Sequence, residues 1–155
     1  MLGLWTGQRP SDIMKMTWHD IKNNVMHITQ EKGGEKVWIP IHPELQRFLG
    51  SIKKRGLTIL ATENGSPYTD SGFNGLWQRH IKSLGLGAGD GERFGCTRHG
   101  LRKNASKALA EAGCSGHEIK AITGHKTLQM VELYTREVTR QTAAEQAMKK
   151  WTNNP

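Results

Sequence analysis

Apolar and polar side chains alternate over residues 24–30 (NVMHITQ) and 36–41 (KVWIPI), which predicts two β-strands. The short connection through Gly33 and Gly34 predicts that they pair as a hairpin, with Lys32 at its tip. Elsewhere the spacing lengthens to that of helices. Leu2, Leu4 and Trp5 read as the end of an apolar helix, with nothing before them to complete the period. Pro10, Ser11 and Asp12 predict a second helix start, proline near its first position and an acid in its first turn. Ile13 and Met16 give that helix an apolar side, and Trp18 extends it. Pro43 opens another helix, running to about residue 54.

Residues 58–60 are short and apolar and predict a third strand, and Asn64, Gly65, Ser66 and Pro67 form a turn cluster. A helix over residues 69–83 follows, with Phe73, Leu76, Trp77 and Ile81 on its apolar side. Residues 85–95 (GLGAGDGERFG) hold five glycines and predict a mobile loop. Residues 98–112 read as a helix whose apolar stripe is Leu101, Ala105, Ala108, Leu109 and Ala112. A short helix over 115–122 comes next, then another short one carrying Tyr134. A polar, alanine-bearing helix from residue 138 to about 151 ends the chain. The pattern is mainly α with a small antiparallel β-sheet (α+β), without internal repeats.

A chain of 155 residues forms one domain with its own core. It carries 22 Lys and Arg against 14 acids, a formal charge of +8, and so favours a polyanionic partner without deciding between DNA, RNA and an anionic membrane. No apolar run has the length of a transmembrane helix, and no charged segment followed by an apolar one opens the chain. Cys96 and Cys114 suit a reducing compartment and show no metal spacing. The seven histidines contain no H-x-x-x-H pair, so no metal is assigned.

The chemistry concentrates in TRHGLRKNASKALAEAGCSGHEIKAITGHKTLQMVELY, from Thr97 to Tyr134. His99 and Arg102 are three residues apart on one helix and therefore neighbours, on the flank of its apolar stripe. A Gly124–His125 step follows, with Tyr134 nine residues after the histidine. Near the front, TGQRPSD adds Arg9 after a glycine turn and at a helix start, where backbone N–H groups also favour anions. Two arginines can hold the non-bridging oxygens of a phosphate by forked hydrogen bonds and balance the charge that builds up in phosphoryl transfer. A phenol of pKa about 10 needs cationic neighbours and a proton acceptor to attack. Each piece alone also fits an ordinary reading. Arg9 can pair with Asp12 across a helical turn, Arg102 can lie on a surface, and Tyr134 can pack beside Leu128 and Val131. The other tyrosine, Tyr68, sits in a turn cluster beside Pro67 and is a poor rival.

In this order, T-G-x-R with an acid three residues on, H-x-L-R, and G-H followed by a tyrosine resemble the catalytic domain of tyrosine recombinases of the phage-integrase type. The resemblance covers roughly residues 6–145. It implies that residues 1–155 are a single catalytic domain, a fragment lacking its first helices and an N-terminal DNA-binding domain. It implies DNA strand exchange through a covalent 3′-phosphotyrosine formed by Tyr134, with Arg9 and Arg102 on the scissile phosphate and His125 hydrogen-bonded to it. By the same resemblance His99 manages the tyrosine's proton, Lys32 protonates the leaving 5′-oxygen, with Lys36 as a nearby competitor, and Asp12 supports the arginine. No metal or other cofactor is implied. The implied partner is double-stranded DNA at recombination or attachment sites, bound by a homotetramer in a bacterial or phage-encoded cytoplasmic setting, with no membrane. Accessory DNA-bending proteins are left open. In the family the segment after the tyrosine often docks on a neighbouring protomer, here residues 138–151. Gly100 departs from many relatives, which place a larger, often acidic residue there; every proposed catalytic group remains. Two other functions stay open at this point: type IB topoisomerase-like cleavage and rejoining, and DNA binding without chemistry.

Overall fold

The computed structural model describes residues 1–86 and 96–153, so the glycine-rich loop expected over 85–95 lies outside the described residues from 87 on. The order is α1 (Leu2–Thr6), α2 (Pro10–Lys15), a 3-10 turn (Trp18–Asp20), β1 (Ile21–Lys22), β2 (Val25–Thr29), β3 (Lys36–Pro40), α3 (Pro43–Ser51), α4 (Asp70–Ser83), α5 (Arg98–Glu111), α6 (Gly116–Thr123) and α7 (Leu128–Thr152). The architecture is the mainly helical one the patterning predicted, with one three-stranded antiparallel sheet in the order β1-β2-β3.

The main hairpin forms where the alternation placed it, Met26 opposite Ile39 and Ile28 opposite Val37. These four face the core with Ile13, Met16, Ile41, Leu45, Leu49 and Ile59, while Trp38 and His27 face outward. A second apolar cluster, Ala110, Ile119 and Val131, joins α5, α6 and α7. Helix α5 is the pivot of the helical part, packed against α1, α6 and α7.

The third strand is not residues 58–60. Thr58 makes only an isolated bridge to Thr17, and the sheet is completed by Ile21–Lys22. The cause lies in Asn23 and Asn24, both at positive φ (50° and 60°), which join Lys22 directly to its partner Val25. Two such residues form the tight turn whose twist matches a hairpin, and asparagine tolerates that conformation better than most residues. Helix α2 likewise stops at Lys15 instead of including Trp18, because Thr17 and Asp20 cap a separate 3-10 turn.

Three helical expectations also change. Leu76 is not a packed face of α4; it is 43 % exposed, and Ile81 is the buried anchor there. The two terminal helices are one, Leu128–Thr152, since no glycine or proline interrupts Tyr134 to Val138 and Thr135 folds its hydroxyl onto the Val131 carbonyl. In α5 the buried face is centred on Arg102, Ala105, Ser106 and Ala110, whereas Ala108 and Ala112 are exposed. The stripe is displaced because the long side chain at 102 turns inward and is solvated by protein acceptors.

Candidate active site

The T-G-x-R segment is shaped by its glycine. Thr6 donates its hydroxyl to the Leu2 carbonyl at 2.8 Å, and Gly7 ends α1 in the left-handed conformation at φ 63°. A Cβ at Gly7 would lie 2.8 Å from Thr123 Cγ2, so this turn also allows α1 to approach the end of α6. Gly124 plays the same part at the C-terminus of α6, at φ 68°. The two glycine turns face each other, and Arg102 is strung between them.

Arg102 is 2 % exposed, an unusual position for a guanidinium. Its Nη1 donates to the carbonyls of Gly7 (2.9 Å) and Thr123 (2.6 Å), and its Nε donates to Nε2 of His125 at 3.3 Å. Nη2 is buried and has no acceptor among the described residues. Burial, then the positive charge of Arg9, lowers the Arg102 pKa to about 10, so the group stays charged at neutral pH. Two N–H groups of a buried, charged guanidinium are thereby left to a ligand, and the chemistry that satisfies them is an anion.

Arg9 comes from the other side of the turn. Its Nη1 donates to Oε1 of Gln30 at 2.9 Å and lies 3.8 Å from the Asp12 carboxylate. Asp12, buried, accepts a closer bond from the backbone N–H of Glu31 at 2.8 Å, which ties the hairpin base to the start of α2. The expected ion pair is therefore present in a long form, and Asp12 serves the hairpin as much as the arginine.

His125 is buried beside them, and the neighbours of Thr123 determine its tautomer. The single hydroxyl hydrogen of Thr123 is given to the Ile119 carbonyl at 2.6 Å. The 2.6 Å contact between Thr123 Oγ1 and Nδ1 of His125 is then a donation from Nδ1–H, and Nε2 is left as the lone pair that Arg102 Nε addresses. Burial, followed by the charges of Arg102, Arg9 and His99, pushes the His125 pKa down to about 4. At neutral pH this ring is an uncharged acceptor.

Tyr134 is half-buried, its ring centroid 5.7 Å from that of His125, and Lys103 Nζ lies 5.8 Å from its ring centroid. Val131, one of the two residues Tyr134 could pack beside, is itself buried in the α5–α6–α7 cluster. Tyr68 instead makes an edge contact with Phe73 at 5.6 Å. Around Tyr134 runs an open groove lined by Lys103, Asn104, Lys107, Arg136 and Arg140, with Glu137 as its acid. His99 stands exposed at the start of α5, one turn before Arg102.

Lys32 is exposed in the turn of the main hairpin, which the Gly34 N–H closes onto the Gln30 carbonyl at 3.1 Å. That turn touches the Gly124–His125 turn: a Cβ on Gly33 would lie 2.7 Å from Cε and 3.1 Å from Nζ of Lys126. Lys36 instead begins β3 opposite Thr29. Thus Arg9, Arg102, His125 and Tyr134 are joined by direct contacts or shared partners, while His99 and the Lys32 turn stand at the edge of the group.

Pattern reading missed three residues, Gln8, Gln30 and Thr123, all nearly inaccessible. Gln30 had a signal: it continues the inward alternation of Met26 and Ile28 one residue past β2, so a glutamine occupied a core position.

A sequence profile of the phage integrase family matches residues 1–141. The shufflon-specific DNA recombinase of Escherichia coli is 28% identical over 137 residues, covering 86% of this chain and 33% of that protein. The integrase of Escherichia phage lambda is 29% identical over 143 residues, covering 86% of this chain and 39% of that protein. The chain thus spans between a third and two fifths of the length of these curated relatives. Among solved structures, a lambda integrase tetramer bound to a Holliday junction superposes with a TM-score of 0.72 at 28% identity, over 86% of this chain and 40% of that one.

Proposed function

Because this chain belongs to the phage integrase family, we propose that it is the strand-cutting and strand-joining part of a site-specific DNA recombinase, with Tyr134 as nucleophile. One observation supports this above the others: among the described residues nothing accepts from Nη2 of the buried, charged Arg102, next to the His125 ring against which Tyr134 packs. Such a site attracts an anion and sets a hydroxyl beside it. The basic groove of Lys103, Lys107, Arg136 and Arg140 suits the flanking phosphates of double-stranded DNA.

In the proposed reaction the Tyr134 oxygen attacks phosphorus while the bond from phosphorus to the 5′-oxygen breaks. The tyrosine proton passes to His99, and Lys32 gives a proton to the departing 5′-oxygen. Arg9 and Arg102 balance the charge on the non-bridging oxygens. His125 as it stands offers the phosphate no N–H, since Nδ1–H is held by Thr123 and Nε2 receives Arg102. Its part in this state is to orient Arg102; donation to the phosphate needs an Nε2–H, from the other tautomer or from protonation, with Arg102 Nε turned away from that nitrogen. Asp12 holds the hairpin base beside Arg9. One ester replaces another, so neither a metal nor a nucleotide is needed to conserve the bond. A 5′-hydroxyl from a second duplex reverses the step and completes an exchange. For exchange between two duplexes the proposed assembly is four copies on the DNA, in a bacterial or phage-infected cytoplasm; the lambda integrase structure that this chain resembles is a tetramer bound to a Holliday junction.

The test is to incubate the chain with a pool of duplexes nicked just 3′ of the cleavage position, so that the short released strand diffuses away. The proposal expects a denaturation-resistant protein–DNA species whose DNA resists a 3′-exonuclease, together with a released strand whose 5′-hydroxyl accepts phosphate from a kinase. DNA binding with no such species would reduce the chain to a binding module. Relaxation of supercoils without joining of two duplexes would point to topoisomerase-like activity.

A further inference from the structure

Gln30 directly follows β2, is 1 % exposed, and has all of its polar atoms in use. Its Oε1 accepts from Arg9 Nη1 at 2.9 Å, and its Nε2 donates to Gln8 Oε1 at 2.6 Å and to the Thr123 carbonyl at 2.8 Å. The same Thr123 carbonyl accepts from Arg102 at 2.6 Å. Gln8 in turn donates to the carbonyls of Thr6 (3.0 Å) and Ile122 (2.9 Å), which leaves its Oε1 as the acceptor and fixes the orientation of both amides. On its main chain Gln30 receives Gly34 N–H at 3.1 Å and donates to the Glu35 carbonyl at 2.8 Å, closing the turn that carries Lys32. A Cβ on Gly124 would collide with the Gln30 amide, so the α6 turn is shaped around this side chain.

We propose that Gln30 is a positioning residue for strand cleavage: it sets the Arg9 guanidinium against Arg102, and it acts through Arg9. The proposal rests on the reading of Arg9 as a ligand of the scissile phosphate. No other side chain of this shape does the job, because position 30 must accept from an arginine while donating to two buried oxygens. A glutamate has no donor, and methionine has neither function. Without the Gln30 acceptor, Arg9 is left to the 3.8 Å approach of Asp12 and can swing with it. Displacing a charge-balancing group by about 1 Å costs on the order of a hundredfold in rate.

The experiment is single-turnover cleavage of the nicked duplex pool at saturating DNA, with Gln30→Met, Arg9→Ala and the double variant. Gln30→Met should slow cleavage about 10- to 100-fold, with DNA affinity within about threefold of the parent. In the Arg9→Ala background the same substitution should change the rate by less than about twofold, because its effect passes through the missing arginine. A merely structural role would add in full to the Arg9→Ala defect, and that additivity overturns the proposal. So does a Gln30→Met chain that cleaves at the parental rate. If Gln30→Met loses its cooperative thermal transition, Gln8→Met carries the test: it removes one of the two acceptors that aim Gln30. Its smaller defect must likewise vanish in the Arg9→Ala background, and a defect that persists there overturns the proposal. A parent chain that forms no Tyr134-dependent adduct at all overturns the reading of the site, and the role of Gln30 with it.

Discussion

Arg102 donates from Nε to Nε2 of His125 across 3.3 Å, so the lone pair of this buried histidine faces a guanidinium that stays charged at neutral pH. The pair is stable only while the ring is neutral. This is the reason the His125 pKa falls to about 4, after burial itself.

The unfolded histidine binds its proton near pH 6.5 and the folded one only near pH 4. Between these values the unfolded state holds more protons, and stability falls as the pH drops through that window. One linked proton limits the slope to about 1.4 kcal/mol per pH unit. Urea unfolding from pH 7 to pH 4 should show this limb, and His125→Gln should flatten it. An unchanged limb in the variant would assign it to other groups.

The two arginines should separate by what each one holds in the fold. Arg102 carries the Gly7 and Thr123 carbonyls and His125, whereas Arg9 meets Gln30 and Asp12 with part of its side chain in solvent. Each alanine variant should lower cleavage by at least about two orders of magnitude, as expected for loss of a transition-state charge stabiliser. Arg102→Ala should also lose more thermal stability than Arg9→Ala, since every buried acceptor left unpaired costs about 1–3 kcal/mol. Equal melting temperatures with equal defects would contradict the tie between the glycine turns.

Gly124 and Gly34 form a controlled comparison, at φ 68° and 67°. An alanine at either adopts the left-handed conformation at roughly 1–2 kcal/mol. A Cβ at Gly34 meets nothing within 4 Å, whereas at Gly124 it drives into Gln30. Gly124→Ala should therefore be the more destabilised in denaturant melts. Equal losses would mean that Gln30 yields without cost.

The hairpin was legible in the sequence because alternation places Met26 and Ile28 on one face without help from the rest of the chain. The short strand Ile21–Lys22 was readable in principle from Asn23 and Asn24, a signal outweighed by the apolar look of residues 58–60. The motif residues are singled out by their order along the chain, a resemblance that periodicity alone does not carry. What periodicity hid was depth. A stripe of alanines and leucines on α5 suggested that Arg102 lay at the margin, yet Arg102 is the floor, because carbonyls supplied by Gly7 and Thr123 replace water around it. Those acceptors lie far away in sequence, and no local pattern shows that they converge.

Lys32 has a chemical test that separates it from its neighbours. An alkoxide leaving group needs a proton, and donation from a placed lysine contributes about 10²–10⁴-fold. Sulfur in place of the bridging 5′-oxygen leaves as a thiolate, with a conjugate acid near pKa 8.5, and needs little help. Lys32→Ala should be slow on ordinary DNA and near parental on the 5′-bridging phosphorothiolate. Lys36→Ala and Lys126→Ala, the latter lysine lying over the same turn at Gly33, should show neither defect nor rescue. Rescue of a different lysine variant would move the acid to that residue.

The claim on which the rest depends is that the Tyr134 oxygen forms the bond to DNA. The most direct measurement is to trap the adduct on nicked duplex, digest protein and DNA, and locate the nucleotide-bearing peptide by mass spectrometry. The account predicts a phosphodiester-linked nucleotide on Tyr134, in the peptide that begins α7, and no adduct from Tyr134→Phe at a DNA affinity within a few-fold of the parent. A nucleotide on Tyr68 or on any non-tyrosine residue, or an adduct that persists in Tyr134→Phe, would contradict it.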